Sequence, residues 1–108
     1  MPEFSTVDPL AKPPRVNFPS AYNAAHDLIG RNLQAGRADN PAFIDDAGSY
    51  SYGELAQRVN RFANAITALG VQPEQRVFLC LLDTIDWPVA FLGCILAGVV
   101  PVAANTLL

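Results

Sequence analysis

A few groups of residues have the types and spacing that chemistry requires. Gly93 and Gly98 stand five apart, as the two glycines of a phosphate-cradling P-loop do. That loop needs lysine and then serine or threonine after the second glycine, to reach phosphate and metal. Val99 and Val100 stand there instead, so helix packing and a C-cap are the expected roles. His26 and Asp27 have the types of a base and its orienting carboxylate, but helical neighbours point apart and the sequence places no serine or cysteine nucleophile near them. A solvent-facing histidine is expected. Asp45 and Asp46 could bind calcium or work as acid and base, yet their spacing fits no EF-hand loop and they precede a glycine-containing turn, whose chemistry accounts for them. Asp83-Thr84-Ile85-Asp86-Trp87 follows an apolar run, at the strand end where open α/β sheets bind ligands. Capping of the next helix is the first expectation for it, and lining of a site the alternative. Cys80 and Cys94 sit inside apolar runs, which predicts buried free thiols. The sequence contains no metal-ligand cluster, phosphate loop, nucleophile–base pair or aromatic-plus-basic patch, so no catalytic, cofactor-binding or metal-ligating residue is assigned.

The elements that would position these groups follow from periodicity. Residues 1–19 hold five of the nine prolines and little apolar periodicity, which predicts an extended Pro-rich arm. Tyr22, Ala25, Ile29 and Leu33 share one face of a helix expected from Ser20, as its cap, to Gln34, with Gly36 as terminator. Pro41–Asp46 and Ser49–Tyr52 around Ala47-Gly48 predict a β-hairpin. Ser51 followed by Glu54 is a capping box that starts a helix near Tyr52. Its stripe of Leu55, Val59, Phe62, Ile66 and Leu69 needs a partner surface, and Gly70 ends it. The apolar run Arg76–Leu82 predicts a strand covered on both faces. A helix follows through Ala97, apolar almost all round, with Pro88 in its first turn, and residues 99–104 resume as a strand. A strand–helix–strand unit of this length suits a parallel crossover, so the fold class is α/β.

Composition narrows the function classes. A chain of 108 residues supports one domain or a piece of one. Ten acidic against seven basic residues, spread without runs, give a net charge of −3 and no nucleic-acid footprint. No secretory leader is visible at Met1-Pro2-Glu3-Phe4-Ser5, so a cytoplasmic protein is expected. The uncharged stretch Trp87–Leu108 is long enough to cross a bilayer, but Pro88, Pro101 and Asn105 interrupt it and no flanking Lys or Arg would orient it. No membrane partner is expected.

Tyr50-Ser51-Tyr52-Gly53-Glu54-Leu55, then Arg58 to Ala65, then Ala68-Leu69-Gly70-Val71 resemble the opening of an adenylate-forming acyl-CoA synthetase of the AMP-binding superfamily. Asn17 to Ile29, Asp83 to Gly93, Ala97 to Val102 and Asn105-Thr106-Leu107-Leu108 are similar to its benzoate–CoA ligase branch. Two departures stand out. Pro73-Glu74-Gln75 replaces the Gly-Asp of many relatives, and Ala103-Ala104 precedes Asn105 where a valine is common. The resemblance implies that residues 20–108 are part of the N-terminal subdomain of an AMP-binding enzyme. It implies attack of a carboxylate on the α-phosphorus of ATP, then displacement of AMP by the thiol of CoA, with Mg2+ offsetting phosphate charge. The phosphate loop, the nucleotide contacts, the acyl pocket and the C-terminal lysine of the family map onto none of these residues. ATP, Mg2+ and CoA are thus implied for a parent enzyme and not for this chain. The chain is expected to be an inactive N-terminal fragment, with the remainder of the parent ligase as its partner and self-association through an open sheet edge. A free-standing interaction module is the alternative.

Overall fold

The computed structural model describes residues 4–107. Its most locally determined element is helix α2, Tyr52–Ala68. The Glu54 amide donates to Ser51 Oγ at 3.1 Å, and the Ser51 amide donates to Glu54 Oε1 at 3.5 Å, which satisfies two otherwise orphaned donors. At the other end Gly70 takes φ +91° and the Val71 amide returns to the Ile66 carbonyl, closing the helix as a glycine-terminated turn. Leu55, Val59, Ala63 and Ile66 are buried. Leu69, expected on that stripe, is 82% exposed because it lies past the last helical residue, where the chain turns away.

The hairpin before α2 forms as expected from β3, Pro41–Asp45, and β4, Gly48–Ser51, paired antiparallel. Helix α1 runs Ala24–Gln34, starting later than Ser20. Asn23 is the cap in place of Ser20, because its Oδ1 accepts from the amides of Ala25 and His26 while its Nδ2 donates 2.8 Å to the Ile95 carbonyl. That second bond ties the start of α1 to a distant helix. Tyr22 therefore lies outside α1, and Gly36, at φ +80°, ends it as expected.

Strand β5, Arg76–Leu79, helix α3, Asp86–Leu96, and strand β6, Val100–Ala103, form the crossover, with β5 and β6 parallel in the register Arg76↔Val100 to Leu79↔Ala103. Gly98, at φ +77°, closes α3 so that the chain can enter β6 at Val100. The β5 strand is shorter than expected and covered on one face only, since α3 packs against Val77 and Leu79 while Phe78 stays 63% exposed. Cys80 follows the end of the ladder and is exposed, which corrects the expected buried thiol, and Cys94 is fully buried. No helix among the described residues is long and apolar enough to cross a membrane.

Residues 6–17 depart from a single extended arm. β1, Thr6–Asp8, and β2, Arg15–Asn17, pair antiparallel as a ribbon whose strand residues are all exposed. Residues 1–3 lie outside the described residues.

Helix α3 joins the two parts of the core. Leu92 packs with Ala25, Ile29, Leu55, Val59 and Ile85, while Cys94 packs with Ile66 and Val99. Between Leu92 and Cys94 lies Gly93, where a Cβ would stand 2.6 Å from Phe62 Cδ1 and 3.0 Å from Phe62 Cβ. The close approach of α2 and α3 thus requires a residue without a side chain. Alanine would gain about 1 kcal/mol of helix propensity but would force two helices apart, at a cost of about 1–3 kcal/mol. Gly93→Ala is expected to lower the urea midpoint with the slope unchanged.

Candidate functional site

An open cleft of about 250 Å³ lies at the C-terminal end of β5, lined by residues including Phe43, Ile44, Asp45, Asp83, Thr84 and Trp87. The structure brings two of the candidate groups named from sequence together here. Asp45 accepts through Oδ1 from the amides of Ala47 and Gly48, the turn role expected of it. Its Oδ2 also accepts from the Ile85 amide at 2.9 Å, across forty positions of sequence. The Ile85 bond above all holds this carboxyl below its usual range; desolvation opposes it, and the Ala47 and Gly48 amides add to it. A carboxylate committed to three amides is a structural tie and a poor proton carrier. Thr84 Oγ1 accepts from the Asp86 amide at 3.2 Å, but the cap position of α3 is Ile85 and no side chain caps it, which corrects the expectation that Asp83 or Thr84 would. The cleft lining contains two carboxylates and no cation, which is the wrong sign for a triphosphate.

A second polar cluster was not legible from the sequence. Asp27 is 5% exposed. Its Oδ2 accepts from the Ser5 amide at 3.0 Å, from Ser5 Oγ at 2.8 Å and from the Tyr22 hydroxyl. Its Oδ1 accepts from Arg31 Nε at 3.0 Å and Arg31 Nη2 at 2.8 Å. Burial pushes the carboxyl up, but the bonds from Tyr22, Ser5 and Arg31 outweigh it and hold the group far below the usual carboxylate range. The same bond pushes the Tyr22 hydroxyl up. Ser5 precedes β1 and Tyr22 follows β2, so one carboxylate on α1 fastens both ends of the ribbon. The only sequence signal was the i,i+4 spacing of Asp27 and Arg31. His26 is half-buried with Phe4 beside it, ring centroids 5.6 Å apart, which corrects the expected solvent-facing side chain: the chain's start folds back onto α1.

The other candidates remain apart. Gly93 and Gly98 serve packing and the C-cap. Burial pushes the Cys94 thiol up and so keeps it inert. Among the described residues no group of three or more His, Cys, Asp or Glu side chains could hold a metal. The arrangement supplies scaffold: a clamped ribbon, a tied hairpin and a parallel strand pair with one open face.

The Asp27 clamp has a pH signature. An unfolded Asp27 titrates near its ordinary 3.8 and the native group lower. Between those values the unfolded chain binds a proton that the native chain does not, so stability is full above about pH 5 and falls as pH drops through the native value. Asp27→Asn is expected to cost about 1–3 kcal/mol in urea unfolding at pH 7 and to flatten the acid limb. An unchanged acid limb would refute the clamp.

The AMP-binding enzyme family matches residues 31–108 of the chain. A benzoate–CoA ligase of Thauera aromatica is 58% identical over 105 residues, covering 96% of this chain and 20% of the relative. A 4-hydroxybenzoate–CoA/benzoate–CoA ligase of Rhodopseudomonas palustris is 49% identical over 85 residues, covering 79% of this chain and 16% of the relative. Among solved structures, a benzoate CoA ligase from Burkholderia xenovorans LB400 superposes with a TM-score of 0.76 and 56% identity over 80% of this chain and 17% of that one. This chain therefore spans about a fifth of the length of the curated relatives it matches. With the hairpin, α2 and the entire β5–α3–β6 crossover inside the matched residues, the chain belongs to the AMP-binding enzyme family.

Proposed function

We propose that this chain is the N-terminal scaffold of a benzoate–CoA ligase, an acid–thiol ligase that converts ATP, benzoate and CoA to benzoyl-CoA, AMP and diphosphate. The observation that carries this reading is the 58% identity to a benzoate–CoA ligase across 96% of the chain. The narrowing to benzoate over a substituted benzoate rests on the order of identities, since a 3-hydroxybenzoate–CoA ligase from Aromatoleum is 42% identical over 79% of the chain. The parent enzyme is proposed to work in the cytoplasm, where ATP and CoA are available.

Among the described residues none is assigned to ATP, Mg2+ or CoA. The cleft beside β5 is lined by acids without a cation, no metal cluster exists among the described residues, and the Gly93–Gly98 spacing is used for packing. No step of the reaction is assigned to them. Their role is to present β5 and β6 as a framework to the remainder of the polypeptide, which supplies the catalytic groups.

The test is benzoate-dependent release of diphosphate. A polypeptide that continues this chain to the length of its relatives is expected to release it with benzoate, ATP and Mg2+, and to form benzoyl-CoA when CoA is added. The 108-residue chain alone is expected to release none. Turnover by the short chain, or a longer protein indifferent to every aryl acid, would overturn the proposal.

A further inference from the structure

We draw no further inference here: the strongest candidate, the apolar groove among α1, α2 and the end of α3 lined by residues including Ala25, Ile29, Leu33, Ala56, Val59 and Leu96, carries none because nothing in the structure shows what covers it.

Discussion

The structure is organised by the need to cover α3 on every side. An eleven-residue helix whose sequence is Asp-Trp-Pro-Val-Ala-Phe-Leu-Gly-Cys-Ile-Leu has no polar face to give to water. Helices α1 and α2 cover two of its sides and the β5–β6 strands a third. Each neighbour is fitted to it by a particular residue. Gly93 admits Phe62, Asn23 hydrogen-bonds the carbonyl of Ile95, and Asp45 receives the amide at the entry to the helix. Helices α1 and α2 are thus both held against α3, while the hairpin rests on α2 and reaches the entry of α3 through the Asp45–Ile85 bond.

This organisation explains why a chain with so many acids has so little acid–base chemistry. Its most committed carboxylates, Asp27 and Asp45, are bound by amides, a hydroxyl pair and a guanidinium, and both are held in the charged form. Held this way, they fasten the ribbon and the hairpin. A catalytic carboxyl needs the opposite setting, with desolvation winning over hydrogen bonds so that the proton can be exchanged near neutral pH. What remains open is the β5–β6 sheet, whose outward face carries Phe78, Val100 and Val102. Parallel strands are ordinarily covered on both faces, and the relatives are about five times longer than this chain.

Where local chemistry dictated structure, the sequence was readable. The Ser51–Glu54 box, the Ala47-Gly48 turn, and Gly36, Gly70 and Gly98 as terminators all depend on residues within one or two turns of each other, and the strand–helix–strand unit on the order of its apolar runs. The bond from Asn23 to Ile95 and that from Asp45 to Ile85 were not readable, because each joins positions at least forty apart. Asp27 was hidden because Ser5, from the far side of the β1–β2 ribbon, and Tyr22 close over it. Leu69, Phe78 and Cys80 were placed inside by composition, and the structure leaves them out because burial needs an opposing surface as well as an apolar side chain. The departure at Glu74 has a backbone meaning. Its φ of +72° lies in the left-handed region where glycine is at ease, so a glutamate at this turn carries backbone strain.

Native-state amide hydrogen exchange tests most directly whether α3 is the element on which the others depend. If it is, the amides of α3 form the slowest class and the α2 residues facing it exchange with them. The hairpin and α1 then open at lower free energy, and the β1–β2 ribbon opens lowest of all. An α3 that exchanges before α2, or a hairpin that stays protected after α3 has opened, would contradict this order.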